Sequence, residues 1–313
     1  MPLLAPWSME RRHGSRRFSI SRNGRIAAVA AATLILLLSQ PWRRRAAPHA
    51  ACAAPPTIYS HRGFDAAESA RVTTTASIEA LLDAGITAFD LDVFWVADDP
   101  QLFIGHPPSL RRLWSLDAAL VNTPLRELRA RADVELYPLR SLLELVGRRP
   151  AAFTQVSLEL KQPEHVRWPD QLARLYSLVA AAGVGAKVAL VVEDDVQAAA
   201  HRAAQASARG GPLHVPLLLL LRDLDAPRDA NGVPHANLSA LATPSADGFA
   251  ASVKLLDAAL ADAARARGRP LCVWVVDDDA SLREAWEFRV PCVITNLPTW
   301  AARRLGEWRA AEC

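Results

Sequence analysis

The sequence predicts an α/β fold, a (β/α)8 barrel of the TIM type, and three observations predict it. Eight short runs rich in Val, Ile, Leu and Phe recur along the chain from about residue 57. Longer amphipathic runs separate them. The span they cover, roughly 250 residues, is the usual size of a closed eight-stranded α/β barrel. The strand runs lie at 57–60, 87–93, 154–160, 187–192, 215–221, 248–255, 271–276 and 292–295. They lack strict polar alternation, as parallel strands covered on both faces do. Helices are predicted at 75–84, 139–146, 170–182, 195–207, 256–267 and 281–288, with Gly85, Gly147, Gly183 and Gly268 where C-terminal caps belong. No GxGxxG follows the first strand, which argues against a dinucleotide-binding open sheet.

Residues 1–56 have a different character and are predicted to stand apart from the barrel of residues 57–313. Six arginines and a single acid, Glu10, lie between Met1 and Arg25, and Arg43, Arg44 and Arg45 follow together. Between them runs the apolar stretch from Ile26 to Leu38, "IAAVAAATLILLL". Basic flanks around such a stretch predict a signal anchor or a cleaved signal peptide, with "ACA" at Ala51–Ala53 as a small-residue cleavage pattern. The arginines before the run would hold the N-terminus in the cytoplasm. The expectation is therefore a single-pass protein of the secretory pathway with a lumenal or extracellular barrel, attached to the membrane through its N-terminal segment. A secreted or organelle-targeted protein is the alternative. "AAPHAACAAPP" at 46–56 reads as a linker. The net charge of +3 is carried largely by this N-terminus, so the barrel lacks the basic face that a nucleic-acid partner requires.

The four cysteines, Cys52, Cys272, Cys292 and Cys313, form no metal knuckle and no CxxC. Cys272 and Cys292 fall in consecutive strand runs. Two small buried side chains is the preferred reading, with a disulfide as the alternative. Asn237-Leu238-Ser239 is a glycosylation sequon, usable only in the lumen.

In a barrel of this kind the site is built at the C-terminal ends of the strands. The first run ends in "YSHRGF", which places His61 and Arg62 there. The second ends in Asp90-Leu91-Asp92 and the third in Glu159-Leu160-Lys161. Residues two apart on a strand face the same way, so Asp90 and Asp92 share a side, as do Glu159 and Lys161. Aspartates so close repel unless a proton or cation lies between them, and a hard divalent cation held by oxygens relieves the repulsion. The competing reading puts these acids outside the barrel against arginines or backbone donors. "QLFIGHPPSL" then brings His106 fourteen residues after Asp92, close enough to fold back over the same mouth. Two histidines, His61 and His106, could there share acid and base roles.

Three segments resemble the glycerophosphodiester phosphodiesterase family, part of the phospholipase-C-like phosphodiesterase superfamily. They are "SHRG…E…LLDAGITAFDLDVFWVADDPQLFIGHPP", "VSLELKQ" and "LCVWVVDDDASLREAWEFRVPCVITNLP", and the resemblance runs from about Ile58 to the C-terminus. It implies a (β/α)8 barrel that cleaves phosphodiesters with a bound Mg2+ or Ca2+. It implies that His61 and His106 are the acid/base pair and that Arg62 contacts the phosphate. Asp90, Asp92 and Glu159 would hold the metal, with Glu68 as a further ligand. Lys161 would neutralise phosphate charge and Trp274 would line the substrate pocket. Two departures stand out. The family's Glu-x-Asp is Asp90-Leu91-Asp92 here, one methylene shorter, and its His-Asp pair is His106-Pro107.

The expected function is hydrolysis of a glycerophosphodiester or a related lipid headgroup phosphodiester by histidine acid/base catalysis. The alternative is a catalytically reduced barrel that binds a lipid headgroup or a protein in the secretory pathway.

Overall fold

Eight parallel strands close on themselves in the computed structural model, which describes residues 54–66, 73–96, 98–113, 122–130, 136–161, 168–208 and 213–312. The barrel strands are β1 (Thr57–His61), β2 (Ala88–Val96), β5 (Gln155–Leu160), β6 (Val188–Val192), β7 (Leu217–Leu221), β8 (Gly248–Ser252), β9 (Leu271–Trp274) and β10 (Cys292–Thr295). Each pairs in parallel with the next, and the β1–β2 and β1–β10 ladders close the ring. All eight predicted strand runs are present, within a few residues at their ends. The chain divides into two units, Met1–Arg45 and Ala46–Cys313, and the barrel belongs wholly to the second. The signal or anchor segment, its cleavage pattern, Glu68, Cys52 and Cys313 lie outside the described residues. Among the described residues no helix is long and apolar enough to cross a membrane.

Alternation within each strand sorts side chains between the two faces of the sheet. On β2, Phe89, Leu91 and Val93 are fully buried against the surrounding helices in the main hydrophobic core. Ala88 instead faces the lumen, where it clusters with Tyr59, Cys272, Cys292 and Ile294. A second lumenal cluster, Ala189, Val191, Leu218 and Ala250, fills the opposite side. The helices that cover the barrel include α1 (Thr75–Asp83), α4 (Leu139–Arg148), α5 (Trp168–Ala182), α6 (Asp195–Ala206), α7 (Ala258–Ala266), α8 (Asp279–Glu287) and α9 (Pro298–Glu312). Asp194, Asp257 and Asp278 cap α6, α7 and α8, each carboxylate accepting from a backbone N–H of the first turn. One predicted cap was misplaced: Gly147 lies inside α4, not beyond its end. Helix α9 was not predicted at all; its apolar positions are few and its exposed face carries Arg303, Arg304 and Glu307.

Two further strands, β3 (Asp99–Ile104) and β4 (Tyr137–Pro138), extend the sheet beyond the barrel. β2 is long enough to serve twice. It pairs in parallel with β1 and β5 through Val93, then antiparallel with β3 through Val96. The resulting hairpin returns the chain to the mouth, where two short helices follow, α2 (Pro107–Leu113) and α3 (Leu125–Arg129).

Cys272 and Cys292 are direct register partners on β9 and β10, and they form a disulfide with Cα atoms 4.6 Å apart. The preferred sequence reading of two free thiols is thereby corrected. Alternation alone puts both side chains in the lumen, and parallel register puts them side by side. The bond closes a segment with a sequence separation of 20. Replacing both cysteines with alanine is expected to cost about 3 kcal/mol, the loop-closure value for a segment of this length, read as a lower urea midpoint with an unchanged slope.

A buried polar network ties α5 to α6. Gln205 Nε2 donates to the Tyr176 hydroxyl at 3.1 Å and to the Val215 carbonyl at 2.9 Å, and the hydroxyl bonds His201 Nδ1 at 2.9 Å. Burial, with a smaller push from Arg202, drives the His201 imidazole down to about 4. The folded state therefore excludes a proton that the unfolded chain binds. Stability from this group is complete above the ordinary histidine value near 6.5 and is lost as pH falls toward 4. His201 alone is expected to account for a loss of up to about 3 kcal/mol across that window. His201→Gln, which stays neutral, should remove that share of the slope, read as the difference from wild type in urea titrations run at stepped pH.

Candidate active site

The mouth is built first by a turn. The Arg62 N–H donates to the Asp90 carbonyl at 2.6 Å, continuing the β1–β2 ladder one step past the strand. The chain then turns through two left-handed residues, Arg62 at φ 65° and Gly63 at φ 69°. A Cβ on Gly63 would lie 2.8 Å from Ile78 Cδ1 and 2.9 Å from Leu91 Cδ2, so the sharp turn needs glycine at its second position. Thr73 Oγ1 and Ser77 Oγ donate to the Arg62 and Gly63 carbonyls at 2.5 and 2.9 Å, fixing the turn against the start of α1. His61 and Arg62 are thus held in place by backbone.

Asp90, Asp92, Ser157 and Glu159 come together through register. Asp90 pairs with Ser157 and Asp92 with Glu159 across the β2–β5 ladder. Ser157 Oγ donates to Asp90 Oδ1 at 2.5 Å. Lys161 Nζ lies 3.1 Å from Asp92 Oδ1 and also pairs with Glu159. Arg62 Nε approaches Asp92 Oδ2 at 3.4 Å, but neither atom makes a hydrogen bond. The outside reading of these acids is excluded; they form one wall of the mouth.

The wall holds three carboxylates against two cations, and burial decides how each titrates. Burial pushes Asp90 up to about 6, with Asp92 adding to the rise and the Ser157 hydrogen bond opposing it. Burial likewise pushes Glu159 up to about 7, partly offset by Lys161. Asp92 is buried too, yet Lys161, His106, His61 and Arg62 outweigh that cost and hold it below the ordinary carboxylate range. Lys161 remains protonated because Asp92 and Glu159 overcome its own burial.

β3 delivers His106 as its spacing predicted. The Gly105 N–H donates to the Asp92 carbonyl at 2.9 Å, so the residue that follows stands over the acid wall. Pro107 and Pro108 then open α2 and have no N–H to offer. The first amide belongs to Ser109; it donates to the His106 carbonyl at 3.0 Å and also lies 3.3 Å from His106 Nδ1. Ser109 Oγ is 2.9 Å from the same nitrogen and accepts from Arg62 Nη1 at 3.2 Å. Burial pushes the His106 imidazole down to about 4. Ser109 is therefore the residue that partners His106 Nδ1.

His61 has partners that the sequence reading missed. Its Nδ1 lies 2.8 Å from Asn296 Oδ1 at the end of β10. Asp277, just past β9, accepts from Asn296 Nδ2 at 2.6 Å, from the Asn296 backbone N–H at 2.8 Å and from Thr295 Oγ1 at 2.9 Å. Strand-end position was the available signal, because Asp277 and Asn296 both close barrel strands. Burial holds His61 below the ordinary histidine range. Trp274 donates from Nε1 to the Ala250 carbonyl at 3.1 Å and packs against both lumenal clusters.

Asp90, Asp92 and Glu159 supply hard oxygen donors, and Asp92 Oδ2 is a buried oxygen without a hydrogen bond. That excess of carboxylate fits a cation in charge and in donor type. Among the described residues, however, no group of three or more His, Cys, Asp and Glu side chains is placed to hold a metal ion. The Lys161 ammonium stands between Asp92 and Glu159.

The closed (β/α)8 barrel thus carries two histidines, an arginine, a lysine and an acid wall at the C-terminal ends of its strands. Solved structures of this fold include glycerophosphodiester phosphodiesterases. One from Parabacteroides distasonis is 16% identical, with 81% of this chain and 99% of that chain covered at a TM-score of 0.61. A phosphodiesterase from Oleispira antarctica, solved with the product sn-glycerol-3-phosphate, is 16% identical, with 80% and 97% covered at 0.62. A glycerophosphodiester phosphodiesterase from Agrobacterium tumefaciens is 19% identical, with 79% and 99% covered at 0.58. No family model and no curated protein matches the chain. The family whose motifs the sequence resembles is thus also the family whose solved structures share its fold.

Lys161 is the main counter-charge of the wall. Lys161→Met is expected to destabilise the protein by about 3–5 kcal/mol at neutral pH, because it strands buried carboxylates. Adding Glu159→Gln should recover part of the loss, measured by urea denaturation of both variants.

Proposed function

We propose that this chain hydrolyses phosphodiesters, with glycerophosphodiesters or related lipid headgroup diesters as the substrate class. The observation that carries the reading is the convergence of His61 and His106 with Arg62 and Lys161 above one acid wall. A phosphodiester is an anion whose transition state gathers further charge on its oxygens. Arg62 suits two of those oxygens at once, and Lys161 adds a second fixed positive charge. The two imidazoles handle protons at the reacting oxygens, since burial keeps both neutral near pH 7. Trp274 offers an apolar face for the rest of the substrate. The fold likeness supports this reading, and so does the product bound to the Oleispira antarctica phosphodiesterase.

Asp90, Asp92 and Glu159, with Glu68 as the fourth candidate, are the residues that would hold Mg2+ or Ca2+. Such a cation, when bound, offsets charge on the phosphoryl oxygens. The Cys272–Cys292 disulfide supports an oxidising location, the lumenal or extracellular side, for the barrel. One observation favours a second reading, a barrel that binds a headgroup without turnover: Lys161 already compensates Asp92 and Glu159.

The purified chain is expected to release alcohol from glycerophosphodiesters or lysophospholipids when supplied with Mg2+ or Ca2+, and chelation should silence it. His61→Ala should lower kcat by about 10²–10⁴-fold, the usual worth of acid–base help. An intact diester panel at every cation tried, with headgroup binding retained, would establish the binding reading instead.

A further inference from the structure

Two hydrogen-bond systems flank the mouth, and they impose opposite demands on the two histidines. On the β10 side, Asp277 receives three donors: Thr295 Oγ1, the Asn296 backbone N–H and Asn296 Nδ2. With all three contacts directed into the Asp277 carboxylate as acceptor, the Asn296 amide is turned with its NH2 toward Asp277. Its carbonyl oxygen is then the atom that faces His61 Nδ1 at 2.8 Å. A carbonyl only accepts, so the proton of that contact lies on His61 Nδ1.

On the α2 side the logic is reversed. The Ser109 backbone N–H can only donate, and it is shared between the His106 carbonyl at 3.0 Å and His106 Nδ1 at 3.3 Å. The Ser109 hydroxyl accepts from Arg62 Nη1 at 3.2 Å and keeps its own hydrogen free to donate to His106 Nδ1 at 2.9 Å. His106 Nδ1 is therefore an acceptor, and the proton of the neutral ring lies on Nε2. Protonating Nδ1 would set an N–H against the Ser109 N–H.

We infer that Asn296, clamped by Asp277, and Ser109, at the start of α2, are positioning residues that hold His61 and His106 in opposite neutral tautomers. His61 then offers the lone pair of Nε2 and serves as the base. His106 offers Nε2–H and serves as a hydrogen-bond donor to a phosphoryl oxygen, in the way a neutral histidine at a helix N-terminus polarises a substrate in other enzymes. The division of roles rests on the phosphodiesterase reading; the tautomers do not.

The test is proton–nitrogen NMR on the full chain labelled with 15N-histidine, at one pH near neutrality. His61→Gln and His106→Gln assign the two rings. The expected result is a protonated Nδ1 with a bare Nε2 at His61, and the reverse at His106. Asn296→Leu, which removes the acceptor, should shift His61 toward the Nε2–H form and lower kcat about 10–100-fold with little change in KM, the usual scale for an outer partner of an active histidine. Asn296→Asp keeps an acceptor at Nδ1 and should keep the His61 tautomer. Ser109→Ala retains the amide donor and should leave His106 protonated on Nε2. The proposal is overturned if both rings carry Nε2–H in the wild type, or if Asn296→Leu leaves His61 unchanged. If the tautomers are as stated and no diester is turned over, the positioning assignment stands and the phosphodiesterase reading falls.

Discussion

Asp92 and Glu159 stand side by side because β2 and β5 are parallel and in register, and the mouth depends on how that repulsion is met. Two adjacent buried carboxylates are costly. Lys161 meets the cost from the residue just past β5, reaching both acids, while Arg62 approaches Asp92 from the end of β1. Each cation is thus placed by a strand end that also carries another candidate site residue, His61 on β1 and Glu159 on β5. The compensation is incomplete. Glu159 and Asp90 are pushed up toward neutrality, and Asp92 Oδ2 has no hydrogen bond. A wall that retains unmet negative charge is suited to a further positive charge, and its two cations are suited to an anionic ligand.

This arrangement makes the barrel interior lopsided. β1, β2 and β5 turn Asp90, Asp92, Ser157 and Glu159 inward, together with a Tyr59–Gln155 hydrogen bond of 2.5 Å. β6, β7 and β8 answer with Ala189, Val191, Leu218 and Ala250. Trp274 lies between the halves. The apolar half lowers the local dielectric, which raises the desolvation cost on the polar half and strengthens each ion pair there. The disulfide belongs to this interior packing, since it joins the two strands that hold the Asp277–Asn296 clamp.

Much of this was legible in the residues. Strand composition gave all eight barrel strands, because strands buried on both faces leave a dense apolar mark. The two-residue period placed Asp90 with Asp92 and Glu159 with Lys161. The return of His106 was readable as spacing, though not its cause, the doubled use of β2. What stayed illegible depends on pairing between distant segments. The Cys272–Cys292 bond follows from register, which composition does not encode. Asn296 and Asp277 look like ordinary loop polars until two strand ends are adjacent. Helix α9 carries too weak an apolar stripe to announce itself. Glu68 falls outside the described residues, so its assignment rests on the resemblance alone.

The two departures from the family pattern belong together when the hydrogen bonds are followed. No acid follows His106, so none favours a charged imidazole from that position. Pro107 and Pro108 open α2 instead, and the next amide, on Ser109, is shared between the His106 carbonyl and its ring, which favours the neutral form. A neutral His106 makes no repulsive contact with Arg62 and Lys161, so all three can face one anionic group. Asp90, the first acid of the β2 pair, acts in the same direction. The carboxylate is held back against Ser157 within the wall, leaving Asp92 as the acid that the two cations share. In this mouth neutral donors and acceptors, set by Asn296 and Ser109, carry part of the geometry beside the full charges.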